Sequence, residues 1–64
     1  MAEPEDFKLI REIVASGGHK YTSGNIDRSR YQRLFDLGWL NAFVTKMSDV
    51  AYRVTERGKA AASR

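Results

Sequence analysis

The side chains with acid–base or nucleophilic chemistry are scattered along this chain and form no recognisable catalytic motif. The single histidine, His19, lies in a glycine-rich stretch, and no Cys/His cluster accompanies it to complete a metal site. General acid–base catalysis by His19 would need a pocket and an orienting partner, and the sequence indicates neither. No serine lies in a nucleophile-elbow motif. We therefore expect no enzyme, no metal site and no cofactor, and no small-molecule ligand is evident.

Three acids, Glu3, Glu5 and Asp6, lie near the start of the chain. A catalytic carboxylate pair needs apolar surroundings that raise one pKa, and the sequence indicates none here. The acids suit a helix N-terminus instead, where the helix dipole favours negative charge. Pro4 suits the first helical position, because its missing N–H would be unpaired there in any case. We expect a first helix that ends at the Gly17–Gly18 pair.

Positive charge is concentrated after this first helix. Residues 1–15 contain two Lys or Arg and four carboxylates, a net charge of −2, whereas residues 16–64 contain nine and four, a net charge of +5. Lys and Arg displace the counterions that surround nucleic-acid phosphates, so the excess is of the sign that such a partner requires. The alternative interpretation is an ordinary solvated surface, on which such charges contribute little.

The basic residues need elements to position them, and the first is a helix predicted over Arg28–Leu37. Its apolar residues recur at the helical spacing and place one stripe on one side. Asp27 precedes the helix as a cap. Gly38 follows it, where a left-handed residue ends a helix without steric cost. The apolar stripe consists of Tyr31, Leu34, Phe35, Leu37 and Leu40.

A hairpin and a short helix are predicted next. Residues 40–46 and 50–54 are rich in residues that suit strands, and Met47–Asp49 between them is turn-like. Alternation places Val50, Tyr52 and Val54 on one face of the second strand. Thr55 then caps a last helix that runs to about Ser63.

Two motifs in this region are similar to those of winged helix-turn-helix domains in small bacterial and phage regulators. The motifs are Leu34-Phe35-Asp36-Leu37-Gly38-Trp39-Leu40 and Tyr52-Arg53-Val54-Thr55-Glu56-Arg57-Gly58-Lys59. In that family the recognition helix ends in Leu-x-x-Leu-Gly and two hydrophobic residues, and the second wing strand continues into Tyr-x-Leu/Val-Thr-x-x-Gly. The resemblance covers roughly half the chain. It implies one α+β domain over residues 1–64, with helices packed on a two- or three-stranded antiparallel hairpin sheet, the wing.

Residues 17–27 fit this family least. The second helix of the motif should lie there, but three glycines with Thr, Ser and Asn favour caps and turns. We expect an abbreviated second helix, at most one turn that starts at Thr22 or Ser23 and buries Ile26. Tyr21 suits a short strand added to the wing.

The resemblance implies transcription regulation through double-stranded DNA, with helix 28–37 in the major groove. Gln suits adenine and Arg suits guanine by hydrogen-bond geometry, and the candidates for base contact are Ser29, Gln32 and Arg33. The candidates for phosphate contact are Arg28 and Arg30 at the helix start and Lys46, Ser48 and Arg53 on the hairpin. Lys20 and Tyr21 are additional candidates for backbone contact.

Two other functions remain open. Winged helices also serve as protein-interaction modules, and an exposed apolar patch of Phe43, Met47 and Val50 would favour a protein partner or a homodimer. Binding of single-stranded nucleic acid ranks third, because it would require Tyr21 and Phe43 to face solvent in a basic groove.

The sequence also bears on location and stability. No apolar run approaches the ~20 residues of a membrane span, and the acidic start is unlike a signal peptide, so we expect a cytoplasmic protein without membrane contact. Without cysteine, stability must come from the thin core of a ~60-residue domain. The expected core residues are Phe7, Ile10, Val14, Leu34, Phe35, Trp39, Leu40, Val44 and Tyr52.

Overall fold

Three helices cover one face of a three-stranded antiparallel sheet. The structure, a computed structural model, describes residues 2–64. The elements are α1 (Pro4–Ala15), β1 (His19–Thr22), α2 (Ser29–Asp36), β2 (Leu40–Val44), β3 (Val50–Val54) and α3 (Glu56–Ala62). The central strand is β3, which pairs with β1 on one side and β2 on the other. The predicted α+β class is confirmed, and the arrangement is compatible with a winged helix.

Helix α1 begins at Pro4 and ends before the Gly17–Gly18 pair, as predicted. Its buried stripe repeats at the helical spacing through Asp6, Leu9, Ile10 and Ile13. Val14 is exposed, so its expected place in the core is wrong. One residue is a rotation of about 100° around a helix, and this turns Val14 away from the stripe that contains Ile13.

Helix α2 is held at both ends by the residues that the sequence indicated. The Asp27 carboxylate accepts the backbone N–H of Ser29 at 2.9 Å, and Gly38 follows the helix with φ 79°. Leu34 is completely buried. Phe35, expected in the core, is exposed instead, because it lies about 100° around the helix from Leu34.

The strand register gives the sheet two different faces. Lys20 pairs with Tyr52 and Thr22 with Val50 across β1 and β3, and Tyr52 stacks on Tyr31 of α2 with ring centroids 5.1 Å apart. We call this helix-covered side the inner face. Alternation places every second strand residue on the opposite, outer face. The outer-face residues are His19, Tyr21, Asn41, Phe43, Ala51 and Arg53.

Val44 is a further correction to the expected core, since its side chain is 78% exposed. It pairs with Val50 at the end of the hairpin next to the turn. Helix α2 packs on β2, but the buried residue of that strand is Leu40 at its opposite end. The hairpin tip therefore projects beyond the helices.

No helical turn forms between β1 and α2, so the expected abbreviated second helix is absent altogether. Gly24 has φ 75°, which is incompatible with a right-handed helix. The Ile26 side chain, expected to be buried by this turn, is exposed. In the absence of helical hydrogen bonds, side chains bind the backbone groups of this segment. For example, the Asp49 carboxylate accepts the Gly24 N–H at 3.1 Å. The strand predicted at Tyr21 is confirmed.

The two motifs that resemble winged-helix regulators contact each other directly. The Thr55 hydroxyl accepts the Gly58 N–H at 3.1 Å, capping α3, and donates to the Gly38 carbonyl at 2.6 Å. A Cβ at Gly58 would overlap the Trp39 carbonyl oxygen and approach Val54 Cγ1 to 2.9 Å. The threonine and the glycine of the second motif therefore position α3 against the glycine turn of the first.

Candidate nucleic-acid interface

Arg28 joins the start of α2 to the hairpin tip. Its Nε donates to Thr22 Oγ1 at 2.9 Å, and its Nη2 donates to the carbonyl oxygens of Gly24 at 2.8 Å and Ser48 at 2.6 Å. The loop of residues 23–28, the first turn of α2 and the turn of residues 45–49 thus form one surface, which we call the helix–wing surface. Arg28 itself is half-buried. Its hydrogen bonds hold the hairpin tip next to the start of α2.

Arg33 is directed toward α1. Its Nε donates to Asp6 Oδ1 at 3.0 Å and its Nη2 to Asp6 Oδ2 at 2.7 Å, a bidentate pair. The Asp6 side chain is 5% exposed and that of Arg33 is 51% exposed. The hydrogen bonds from Arg33 lower the pKa of Asp6, against the opposing effect of burial, and the same pair raises the pKa of Arg33.

Two other candidates for base contact lie on the outward side of α2. Ser29 and Gln32 are both exposed, and Gln32 Nε2 donates to Asp36 Oδ1 at 3.0 Å within the helix. Arg30 is also exposed and lines a shallow cleft with Glu5 and Arg33. The outward side of the helix thus presents two neutral hydrogen-bonding side chains, with a cation at its flank.

The hairpin residues predicted to contact phosphate lie in two different places. Lys46 and Ser48 are exposed in the turn, which is closed by a bond from the Thr45 N–H to the Asp49 carbonyl at 3.1 Å. Arg53 lies on the outer face between His19 and Asn41. The structure therefore brings Lys46 and Ser48 to the helix–wing surface and leaves Arg53 on the opposite side of the sheet from the helices.

Asp49 connects the hairpin turn to β1 and to the loop that follows it, which the sequence did not indicate. Its Oδ2 accepts the hydroxyl of Tyr21, and its Oδ1 accepts the Gly24 N–H at 3.1 Å. Donation from Tyr21 is the main cause of the lowered pKa of Asp49, and the same bond raises the pKa of the Tyr21 hydroxyl. These partners are 28 and 25 residues away, so no local pattern could indicate them.

Comparison with protein families gives a match over nearly the full chain. A profile of the DUF3860-like family matches residues 2–64. The chain belongs to the DUF3860-like family. The matched range includes both motifs and every element of the fold. No curated protein matches the sequence of this DUF3860-like chain.

Other sequence-based expectations for this DUF3860-like chain can be placed in the fold. His19 follows two glycines and is the first residue of β1. Among residues 2–64, no group of three or more His, Cys, Asp or Glu is arranged to hold a metal ion. Within the same range, no helix is both long and apolar enough to cross a membrane. Phe43 and Val50 lie on opposite faces of the sheet, so the expected patch with Met47 is not continuous.

Proposed function

We propose that this DUF3860-like protein binds double-stranded DNA through the helix–wing surface, as a small transcriptional-regulator-like module. The first turns of α2 enter the major groove, and the hairpin tip contacts the adjacent phosphate backbone. The Arg28 bridge is the observation that carries this proposal, because it fixes the hairpin tip beside the start of the helix. This function involves no catalytic step and no cofactor, and we propose the cytoplasm as the compartment in which it is carried out.

The contacts of each side chain suggest its role. Ser29 and Gln32, exposed on the outward side of α2, contact base edges, where an amide side chain suits adenine. Arg30 and Lys46 are exposed cations without a carboxylate partner among residues 2–64, and they contact phosphates. Arg28 instead holds the hairpin tip in place.

Arg33 acts by orienting α2. Its guanidinium is already bound by Asp6 of α1, and a guanidinium held in this way has fewer donors left for guanine. The pair also compensates one of the acidic charges at the start of α1, which would otherwise repel phosphate.

An NMR titration of labelled protein with a mixed-sequence duplex, at low and then at physiological salt, tests the proposal. Shifts are expected in residues 28–33 and 45–49, and they should diminish as salt rises. A spectrum that does not change at low salt would exclude the proposal, since even non-specific electrostatic binding is detectable under those conditions.

Two variants and one control separate base contact from phosphate contact. Lys46→Ala should weaken binding to every duplex and reduce the salt slope by about one unit. Gln32→Ala should weaken binding to the preferred sequence alone, by about 1–3 kcal/mol. Lys59→Ala makes the same charge change in α3, where Lys59 is paired with Glu56 at 3.7 Å. Equal losses in the Lys46 and Lys59 variants would indicate only a general effect of net charge.

Protein docking is the second candidate function, and the exposed apolar residues of the hairpin tip favour it. Met47 is fully exposed and Val44 is 78% exposed, and both lie at the projecting hairpin tip. A partner protein or a second copy of the chain would cover them. Val44→Ser combined with Met47→Ser should then abolish association measured by sedimentation.

A further inference from the structure

The outer face of the sheet presents two aromatic side chains in one row. Tyr21 of β1 and Phe43 of β2 both pair with Ala51 of the central strand. The two side chains are each 52% exposed. Tyr21, Phe43 and Ala51 line a concavity of about 390 Å³ together with His19 and Arg53, within the ~300–1,000 Å³ range of ligand sites.

The spacing of this row suits one planar ring. Adjacent strands lie ~4.8 Å apart, so the backbones of β1 and β2 are roughly 10 Å apart across β3. A ring stacked between two others needs ~3.5–4.0 Å on each side, or about 7–8 Å between the outer planes. The small side chain of Ala51 leaves the space between Tyr21 and Phe43 open above the strand. A flat aromatic group can therefore enter between the two rings.

Tyr21 is fixed in its position before any ligand arrives. Its hydroxyl donates to Asp49, which is held in turn by the Gly24 N–H at 3.1 Å. An aromatic ring that is already ordered loses little conformational entropy when a partner stacks on it. Because the hydroxyl is bound to Asp49, a ligand would contact the half-exposed ring of Tyr21.

One exposed cation lies beside the row. Arg53 lies in the next row of the outer face, between His19 and Asn41. Among residues 2–64 its guanidinium has no ion-pair partner, and no carboxylate lines the concavity. A ligand that combines a planar aromatic group with a phosphate matches this arrangement, because the rings can stack on the one while the arginine binds the other.

We infer that the outer face binds single-stranded nucleic acid, with an unpaired base between Tyr21 and Phe43 and a neighbouring phosphate on Arg53. A base within a duplex is already stacked and paired, so this face selects unpaired strands. The site lies on the opposite side of the sheet from the helix–wing surface. It does not depend on the proposed duplex contact, and the two sites can be tested with separate variants.

The experiment compares two short single strands that carry the same phosphates. NMR titrations of labelled protein use a mixed-sequence DNA strand of about ten nucleotides, within the ~4–16 nucleotides of known single-strand sites, and an abasic strand of equal length. Shifts are expected in residues 19–21, 43 and 51–53 with the first strand. The abasic strand should bind at least about tenfold more weakly, because it retains the phosphates but offers no base to stack.

Variants of the two rings test the stacking directly. Tyr21→Leu and Phe43→Leu should each weaken binding of the single strand about tenfold. Phe43→Leu should leave duplex binding unchanged, because Phe43 makes no contact with the helix–wing surface through Asp49, whereas Tyr21 does. Tyr21→Phe loses the bond to Asp49 but keeps the ring, so it should retain most of the affinity. Val44→Ala is the matched control, since Val44 is exposed at the next position of the same strand but lies on the other face.

Three results would overturn the inference: equal affinity for the abasic strand, unchanged affinity in both leucine variants, or a dimer of the free protein that buries Tyr21 and Phe43. Both ring residues lie outside the buried core, so the variants should fold, and thermal unfolding verifies this. Loss of duplex binding in the Lys46 variant with retained single-strand binding would support two separate sites, with the single strand on the outer face.

Discussion

The carboxylate of Asp6 accepts two hydrogen bonds from Arg33, at 3.0 and 2.7 Å, and a third from the backbone N–H of Glu3 at 2.8 Å. One buried acid thus closes the first turn of α1 and attaches α2 to it. A carboxylate with three donors is well compensated for its loss of water.

Breaking the Asp6–Arg33 pair should destabilise the fold whichever partner is removed. Asp6→Asn should lower the free energy of unfolding by about 1–3 kcal/mol, because it weakens both the charged pair and the cap. Arg33→Gln should also lower the free energy of unfolding, since it leaves the buried Asp6 charge without its partner. Denaturant unfolding of the two single variants and the double variant gives the coupling energy. A coupling near zero would show that the pair does not link the helices energetically.

The same pair predicts a pH dependence. The pKa of Asp6 is lower in the folded protein than its ordinary value, so the unfolded chain takes up the proton first as the pH falls. The contribution of Asp6 to stability is therefore complete above about pH 4 and is lost at more acidic pH. The free energy of unfolding of the wild type and of Asp6→Asn should be measured from about pH 7 to about pH 2. The difference between the two values should become smaller below about pH 4. A difference in free energy of unfolding that does not change with pH would contradict the lowered pKa of Asp6 in the folded protein.

Arg28 should control the mobility of the hairpin tip. Arg28→Met removes the bonds to Thr22, Gly24 and Ser48 but keeps the length of the side chain. We expect faster amide exchange in residues 45–49, with α1 and α3 unchanged, because local opening no longer has to break these bonds. Arg30→Met is the matched control, since Arg30 makes no side-chain hydrogen bond among residues 2–64. Equal amide exchange rates for residues 45–49 in the two variants would show that Arg28 does not hold the hairpin tip in place.

Gly58 should be intolerant of any side chain. Gly58→Ala gains about 1 kcal/mol of helix propensity, but its Cβ overlaps the Trp39 carbonyl. Overpacking against a backbone atom usually costs more than that, about 1–3 kcal/mol or above, so thermal unfolding should show a clear loss of stability. Gly24→Ala is a useful comparison: it has open space around the Cβ but φ 75°, and about 1–2 kcal/mol is expected from that conformation alone. A more stable Gly58 variant would contradict the packing of α3 described above.

The elements whose sequence signals are local were predicted well. Pro4, Gly38 and Thr55 mark helix ends in the structure as they do in the sequence, because caps and left-handed turns depend on a few neighbouring backbone groups. The hairpin strands and the strand at Tyr21 also follow from local composition. The core was predicted less well. Phe35, Val14 and Val44 are apolar yet exposed, since burial depends on which side of each helix faces the core and on how far the helices extend over the sheet.

The candidate site was determined by the sequence only in its charge and its position on α2 and the hairpin. Which arginines are free to meet a ligand was decided by tertiary structure: Arg33 is bound to a residue 27 positions away, and Arg28 to one 20 positions away. The same holds for Tyr21 and Phe43, which share a face because both pair with Ala51. A one-residue change in register would have turned either ring to the other side. Side-chain types are fixed by the sequence, but their partners across the fold follow from strand register and helix packing.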